Sequence, residues 1–364
     1  MKNTFIILTL VLLVSCYNKK EQRVLSSSIP VLHGISDTVT ASTLFDDFEY
    51  ISLETTKQSI FGNIDKLIVH NDNFFILDKA ILKKIIVFSK SGKYIRTIGN
   101  LGKGPGEYSN IEDFTIDKKT DNIIILYYPS TVITYDSKGT FISQKKLSST
   151  ALLWNICSYN DGFIFSTNHQ SLLTGDDAYL IFNYDSDFTI LNKVLKPLPA
   201  QVGMPPIVHN TLSKTGGNVA YFDFFTSTLH LNVNTKHIKT VKFDFEGKEV
   251  PLDYYANPMS FYSKQREYCF FINNIFIDNT LLATFANQGN QCLLTFDINT
   301  NNSTSYKISE WFSEMLYYKD KTIYSSFSPS QIVKGHNFFK ASNKTKYPIE
   351  AESNPVILSF KMKD

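Results

Sequence analysis

One stretch of this 364-residue sequence combines glycines with a lysine, as phosphate-binding loops do. It reads Gly102-Lys103-Gly104-Pro105-Gly106 and continues into Glu107 and Tyr108. A phosphate-binding loop also needs a Lys-Ser or Lys-Thr pair after its last glycine, and a helix whose N-terminus faces the phosphate. Neither follows here, because the next segment has the composition of a strand. We therefore interpret the stretch as a loop between two strands, in which glycine allows a positive φ.

The histidines, serines and carboxylates show no spacing that is typical of a catalytic or metal site. None of the seven histidines forms a His-x-x-x-His pair, and no Gly-x-Ser-x-Gly elbow is present. Aspartates are dense between residues 72 and 121, but they fall at turns and strand ends, where Asp is common. A metal site with one ligand per repeat and a glycosidase-like pair of acids both stay open as alternatives. We assign no catalytic residue, no metal ligand and no cofactor.

The first sixteen residues have the pattern of an export signal. Residues 5–14 form an apolar run that is shorter than the about 20 residues needed to span a bilayer. The run ends in Leu13-Val14-Ser15-Cys16, which resembles the lipobox of bacterial lipoproteins. This resemblance implies a signal peptide over residues 1–15 and acylation of Cys16, for example with palmitate, so that the membrane is a partner of the chain. Residues 16–42 are polar and serine-rich and predict a tether. We expect a lipid-anchored protein of the cell envelope, at the outer membrane, on a side that stays open.

Composition and charge favour β-structure and give no sign of a nucleic-acid partner. Lys and Arg number 36 against 34 Asp and Glu, which gives a net charge of +2. A nucleic-acid-binding domain usually concentrates far more basic residues. Aromatic residues make up 14% of the chain, and their flat side chains pack well on pleated sheets.

A repeat occupies residues 43–364. Each unit is marked by an aromatic or apolar residue directly before a turn: Phe88, Tyr135, Tyr184, Val233, Phe296 and Phe360. The intervals between these residues are 47, 49, 49, 63 and 64 residues. Propeller blades of four strands repeat at about 40–50 residues. The sequence therefore predicts an all-β, six-bladed β-propeller with four-stranded antiparallel blades, and helical insertions near residues 252–268 and 331–354.

Apolar runs divide the first two repeats into four strands each. We expect strands at 64–69, 74–77, 85–88 and 94–98, and then at 111–116, 122–127, 131–135 and 140–145. The sixth repeat is one strand short, because only four residues follow Phe360. Residues 48–53 lie ahead of the first blade and have the composition of a strand. We expect them to pair beside residues 356–360 and to close the ring, which removes exposed sheet edges.

The cysteines other than Cys16 lie in apolar stretches. We interpret Cys157, Cys269 and Cys292 as buried free thiols. Since Cys269 and Cys292 fall in one repeat, a bond between these two residues stays open as the alternative.

Several segments resemble a family of uncharacterised six-bladed β-propeller lipoproteins of Gram-negative anaerobes, related to the NHL-repeat propellers. They are Ile51-Ser52-Leu53-Glu54-Thr55-Thr56, Ile76-Leu77-Asp78, Val87-Phe88, Gly92-Lys93-Tyr94-Ile95, Gly99, the Gly-rich stretch with Glu107 and Tyr108, and Asn354-Pro355-Val356. The Gly-Pro-Gly-Glu-Tyr sequence is the most specific of these segments. This chain departs from the pattern in its later blades, where the turn glycine is lost, as at Phe188. The resemblance implies the fold but no activity and no catalytic residues.

Blade topology predicts where a binding site would lie. The loops after the second and fourth strands of every blade share one face, around the mouth of the central channel, and propellers usually bind there. Polar and aromatic residues of these loops are the candidate ligand-binding residues: Asp78, Lys79, Glu107, Tyr108, Tyr128, Asn168, His169, Phe225, Asn287 and Gln288. For Glu107 and Tyr108, bonding within their own loop is the other interpretation.

Rings beside amides and carboxylates suit a sugar or a peptide, because rings stack on apolar faces and polar groups fix the orientation. We therefore expect a binding or scaffold module for a glycan, a peptide or a protein partner. The alternative is a propeller enzyme of the lyase, hydrolase or lactonase type, with its site at the same channel mouth.

Overall fold

The described chain forms a ring of six small sheets. Residues 25–167, 169, 178–197, 211–215, 217–256, 258–309, 314–334, 342–343 and 347–363 are described by the computed structural model. Each sheet contains four antiparallel strands, and the first strands of all six sheets face one central channel. The chain is therefore a six-bladed β-propeller, as the repeat predicts.

The N-terminal elements and the first two blades follow one another directly. Before the first blade lie β1 (Leu25–Pro30), β2 (Ser36–Val39), the short helix α1 (Ala41–Leu44) and β3 (Phe45–Ile51). The first blade consists of β4 (Lys66–His70), β5 (Asn73–Asp78), β6 (Lys84–Ser89) and β7 (Tyr94–Ile98). A parallel pair, β8 (Asn100–Leu101) and β9 (Glu107–Tyr108), leads to the second blade. That blade consists of β10 (Asp113–Ile116), β11 (Ile123–Tyr127), β12 (Thr131–Tyr135) and β13 (Phe141–Lys146).

The remaining four blades continue around the ring. The third contains β14 (Asn155–Tyr159), β15 (Gly162–Ser166), β16 (Ile181–Asp185) and β17 (Ile190–Val194). The fourth contains β18 (Leu212–Thr215), β19 (Asn218–Asp223), β20 (Thr228–Leu231) and β21 (Lys239–Asp244). Helices α2 (Leu252–Ala256) and α3 (Pro258–Lys264) then precede the fifth blade, which contains β22 (Cys269–Ile277), β23 (Thr280–Asn287), β24 (Asn290–Asp297) and β25 (Ser303–Ile308). The sixth contains β26 (Met315–Lys319), β27 (Thr322–Phe327), helix α4 (Pro329–Val333), β28 (Ser342–Asn343) and β29 (Val356–Met362).

The strand bounds of the first two blades lie within two residues of those expected from the apolar runs. The reason is that the inner strands are covered on both faces, as in the fully buried run from Ile123 to Leu126, and such strands read as continuous apolar sequence. Among the described residues, none of the helices is long and apolar enough to cross a bilayer.

The N-terminal part of the chain supplies the outer strand of the last blade. Strand β3 runs antiparallel to β29, with Ile51 opposite Ile357 and Tyr50 opposite Leu358. The ring of Phe48 stacks on Phe360 at 5.6 Å. The predicted closure of the ring is therefore confirmed, and it joins residues about three hundred positions apart into one sheet.

Residues 25–39 differ from the tether that their composition predicts. Strand β1 pairs in parallel with β21 on the outer edge of the fourth blade, and β2 pairs in parallel with β25 on the outer edge of the fifth. Ile29 and Val31 are buried against the core of these blades. The exposed backbone of an edge strand accepts a further strand whatever its side chains are, so a polar, serine-rich segment folds here. The chain thus packs on the propeller from Leu25 rather than from residue 43.

Apolar side chains between neighbouring blades form the core. Between the fourth and fifth blades, Phe222 and Phe243 pack on Phe271 with ring centroids 5.0 and 5.4 Å away. Each fully buried Phe side chain contributes about 1.5–3 kcal/mol, so these contacts hold adjacent blades together. Cys157, Cys269 and Cys292 are free and buried, in agreement with the interpretation from the sequence.

The turn that lost its glycine keeps the same backbone. In the second blade Asp136 Oδ1 accepts hydrogen bonds from the backbone N–H groups of Lys138 and Thr140, and Gly139 has φ of +90°. In the third blade Asp185 bonds its turn in the same way, and Phe188 adopts φ of +57°. The Phe188 ring stacks on Phe163 at 4.7 Å. This stacking offsets the strain of a left-handed phenylalanine.

Candidate functional site

A central channel with a volume of about 460 Å³ runs between the first strands of the six blades. Lys118, Asp278 and Asp320 line one end of it, and all three are exposed. They lie in the turns from the first to the second strand of their blades. The channel therefore opens on the face of these turns, which is opposite to the face of the loops after the second and fourth strands.

Lys66 binds two neighbouring blades near the other end of the channel. Its Nζ lies 2.7 and 2.9 Å from the two carboxylate oxygens of Asp113 in the second blade, and 3.3 Å from the Ile156 carbonyl oxygen in the third. Asp113 also accepts a hydrogen bond of 2.8 Å from the Ile156 N–H. The pair is well hydrogen-bonded, so removing either partner would leave an uncompensated charge in the interior.

Lys214 extends from the fourth blade into the lumen. Its Nζ lies 3.0 Å from Ser158 Oγ, and the Ser158 hydroxyl donates to the Ile116 carbonyl oxygen at 2.7 Å. The Lys214 side chain is exposed to the space inside the channel, but the blades surround that space and displace most of the water around the ammonium group. This desolvation lowers the pKa of Lys214, and the ammonium groups of Lys118 and Lys66 lower it further.

The channel mouth carries acidic side chains from two neighbouring blades. Asp278 and Asp320 belong to the fifth and sixth blades, and the Tyr318 hydroxyl donates to Asp278 Oδ2 at 3.1 Å. On the first blade, His70 Nε2 lies 2.7 Å from Asp121 Oδ1. Deeper in the channel, burial raises the pKa of Tyr317 to about 12 and raises the pKa of the Cys157 thiol. Both groups therefore stay neutral at pH 7.

Asp78 and Lys79, predicted as site residues, lie at the loop after β5. Asp78 is buried, and its carboxylate accepts hydrogen bonds from the backbone N–H groups of Gly62, Ile81 and Leu82. Lys79 Nζ forms an ion pair of 2.7 Å with Glu112 and lies 5.1 Å from the centroid of the Trp154 ring. Asp78 thus holds its own loop, whereas Lys79 joins the first three blades.

Three further candidates lie away from the channel. Glu107 and Tyr108 form β9 between the first and second blades, and Tyr128 follows β11 at the surface. The Glu107 carboxylate accepts a hydrogen bond of 2.8 Å from the Gly104 N–H. Tyr108 is buried between the first and second blades, and burial raises the pKa of its hydroxyl. The Tyr108 hydroxyl packs so closely on Gly99 that a side chain there would collide with it. The Glu107 bond supports bonding within the Gly-rich loop, whereas Tyr108 is held there by packing and by its backbone carbonyl, which accepts a hydrogen bond from the Gly102 N–H. Tyr128 is 53% exposed and is open to solvent.

His169 and Phe225 come together between the third and fourth blades. His169 Nε2 lies 2.8 Å from Asp223 Oδ2, and both side chains are buried. The Phe225 ring meets His169 edge-on at 5.4 Å. Burial by itself would raise the pKa of Asp223, but hydrogen bonds from His169 and Thr226 outweigh it and lower the pKa. Asn168, the neighbouring predicted residue, lies outside the described residues.

Asn287 and Gln288 form the hairpin between β23 and β24. The Asn287 side chain accepts a hydrogen bond from the Cys269 thiol at 3.3 Å, and Gln288 has φ of +50°. The described candidates thus form separate small groups on several blades, and none of them lines the channel cavity. Within the described residues, no group of three or more His, Cys, Asp or Glu side chains is placed to hold a metal ion.

The residues that do line the channel were missed by sequence reasoning. Lys66, Lys214 and Lys319 all lie on first strands, and Lys66 begins an otherwise apolar run. A lysine within the otherwise apolar first strand of a blade is the signal that would have found them, because both faces of such a strand are covered and only the lumen can accept a charge.

The fold and the channel define a β-propeller with one lumen enclosed by all six blades. The family model for a domain of unknown function, DUF4934, matches residues 26–361, and the chain belongs to that family. No curated protein sequence matches the chain. The match begins within β1, in agreement with the packing of that strand on the fourth blade.

Solved structures share the fold at low sequence identity. A Bacteroides fragilis protein described as exported is 19% identical, with a TM-score of 0.71 over 93% of this chain and 100% of that one. A member of the DUF4221 family from Bacteroides vulgatus is 10% identical, with a TM-score of 0.55 over 88% and 98% of the two chains. A catalytically inactive virginiamycin B lyase from Staphylococcus aureus, with quinupristin, is 13% identical with a TM-score of 0.48 over 82% and 80%. That last similarity is too weak to support an argument about this chain.

Proposed function

We propose that this protein is a binding module of the cell envelope, and that a group of its ligand enters the central channel. The observation that carries this proposal is a lumen of about 460 Å³, which lies in the usual range of about 300–1,000 Å³ for ligand pockets. The lining combines the Tyr317 ring with the polar ends of lysines from several blades. Such a lining offers apolar surface and a few fixed polar groups, and the closed ring holds these groups in place before binding.

The size of the channel restricts what can enter it. A sugar residue or a peptide side chain fits such a volume, whereas a folded protein domain does not. A glycan or a peptide is therefore favoured as the ligand, and a protein partner would insert one of its side chains. A protein bound in this way would also contact Lys118, Asp278 and Asp320, which line the rim of the channel.

An array of glycans and peptides tests the proposal when it is probed with residues 17–364, which include all the described elements. Lys118→Trp would place a large ring at the exposed channel mouth, and Lys119→Trp is the matched control. Lys119 is the next residue, and its Nζ lies 3.2 Å from Asp161, whose side chain is 79% exposed. A ligand found on the array should lose at least tenfold in affinity for Lys118→Trp alone. Equal affinity for both variants, or no ligand together with turnover of a substrate, would overturn the proposal.

The envelope location rests on the apolar run and on Cys16, which lie outside the described residues. We expect Cys16→Ser to move the protein from the membrane fraction to the soluble fraction of its native host. Cys157→Ser is the control, because Cys157 is a buried, free thiol and should leave the protein in the membrane. If Cys16→Ser stays in the membrane fraction, the lipid anchor is wrong while the channel proposal is untouched.

A further inference from the structure

Two lysine side chains, one from the first blade and one from the fourth, bond to the same short strand. Lys66 Nζ lies 3.3 Å from the Ile156 carbonyl oxygen, and Lys214 Nζ lies 3.0 Å from Ser158 Oγ. Ile156 and Ser158 are two residues apart on β14, and such residues are about 6.6 Å apart along a strand. The two lysines are therefore held at nearby positions of the same strand, one by a backbone carbonyl and one by a side-chain hydroxyl.

Lys118 adds a third lysine to the channel lining, at the open end. It follows Ile116 by two residues, and Ile116 accepts the hydrogen bond of the Ser158 hydroxyl at 2.7 Å. Burial lowers the pKa of Lys214, Lys118 and Lys66 lower it further, and the neighbouring Asp117 carboxylate opposes this shift. Three blades thus direct one ammonium group each toward the lumen.

The positive charge is only partly neutralised by the described contacts. Lys66 has the Asp113 carboxylate, but the described contacts of Lys214 give it a hydroxyl oxygen only. Lys118 is exposed and has no described ion pair. Like charges in a lumen with low-dielectric walls repel one another, and the same walls concentrate the field on an entering anion. A ligand with a negative group would therefore reduce the repulsion between the lysine ammonium groups.

The two aspartates at the rim limit the kind of anion. Asp278 and Asp320 line the rim on the fifth and sixth blades, so a polyanion along the rim meets repulsion. One compact oxyanion on an otherwise neutral or zwitterionic ligand passes the rim and reaches the lysines. Tyr317 stays neutral and offers an aromatic surface beside that position.

We propose that Lys118 and Lys214 form an oxyanion site inside the channel, which takes one carboxylate, sulfate or phosphate group of the ligand, whereas the three N–H donors of Lys66 are already used by Asp113 and Ile156. The inference rests on the proposed function, because it names the chemistry of the group that enters the channel. Ammonium groups bind such oxygens through charge-assisted hydrogen bonds, and lysines act there as point charges without a fixed fork.

Calorimetric titration of residues 17–364 with sodium sulfate, inorganic phosphate and glucuronate tests the site, at an ionic strength held constant with chloride. We expect saturable binding at one site per chain for at least one of the three anions, and their ranking identifies the oxyanion. Lys118→Gln and Lys214→Gln should each weaken binding at least tenfold, whereas Lys119→Gln should change it less than twofold. Thermal melting of each variant establishes that it is folded.

Two results would overturn the oxyanion site. The first is the absence of saturable binding for all three anions, and the second is equal binding by Lys214→Gln, Lys118→Gln and the control. If the array yields a neutral ligand that Lys118→Trp blocks while no anion binds, the oxyanion site fails and the channel function stands. If the array ligand binds Lys118→Trp normally, the channel function itself fails.

Discussion

Lowering the pH from 7 to 5 should destabilise the propeller through one histidine of the fourth blade. His230 lies on β20, with its ring stacked on Tyr221 at 6.1 Å and its Nδ1 3.1 Å from Thr240 Oγ1. Burial lowers the pKa of His230 to about 4; the Asp223 carboxylate opposes this shift, and His169 adds to it. The folded protein therefore favours the neutral form of the His230 ring.

The magnitude follows from the difference between the folded and unfolded chains. In the unfolded chain the pKa of a histidine is about 6.5, so the unfolded state takes up a proton at a pH where the folded state does not. Stability is fully present above pH 6.5 and is lost as the pH falls from 6.5 to 4. A shift from about 6.5 to about 4 corresponds to about 2 kcal/mol at pH 5 and to about 3 kcal/mol below pH 4. Asp223 does not contribute in this window, because its lowered pKa lies below it.

Equilibrium unfolding in urea, followed by circular dichroism at pH 7 and at pH 5, measures this loss. We expect the wild-type protein to lose about 2 kcal/mol on this change of pH. His230→Asn keeps a polar group near Thr240 without a titrating ring and should lose much less. His237→Asn is the control, because His237 is exposed, and it should behave as wild type. If wild type and His230→Asn lose the same free energy of unfolding, the burial argument for His230 is refuted.

Three further predictions concern the ring closure, a turn and a thiol. Glu49 and Ser359 are opposite each other across β3 and β29, so Glu49→Cys with Ser359→Cys should form a disulfide on oxidation; a mass spectrum without the loss of two hydrogen atoms would contradict the closure. Phe188→Ala should lower the free energy of unfolding by about 1 kcal/mol more than Phe188→Gly does, because both variants lose the ring contact but only glycine tolerates the positive φ. Equal free energies of unfolding for the two variants in urea would contradict this reasoning. Burial raises the pKa of Cys292 to about 11, so native Cys292 should resist iodoacetamide at pH 8 while unfolded Cys292 reacts; peptide mapping that shows equal labelling would count against it.

The repeat could be predicted from the sequence because it rests on patterns that burial imposes. Inner strands such as the buried run from Ile123 to Leu126 are covered on both faces, so their residues are apolar without interruption. The closure by β3 could be predicted as well, because a blade with a missing strand leaves an edge unpaired. Even the turn at Phe188, which lacks the expected glycine, keeps the backbone that the repeat requires.

The packing of β1 and β2 could not be predicted, because it depends on backbone pairing with edge strands rather than on side chains. Ser27 and Ser28 pair with Val241 and Lys242 through main-chain groups, and a serine-rich sequence alone indicates a linker. The open end of the channel was also beyond the sequence. Which end is open depends on contacts between residues far apart in the chain, such as those of Lys66 with Asp113 and Ile156 near the opposite end.

Selenate bound in crystals of residues 17–364 tests the central claim most directly, because selenium scatters anomalously and selenate is an analogue of sulfate. The account predicts an anomalous peak inside the channel within hydrogen-bond distance of Lys214 Nζ, and the loss of that peak in crystals of Lys214→Gln. Anomalous peaks confined to the outer surface, with none in the channel of the wild-type protein, would contradict it.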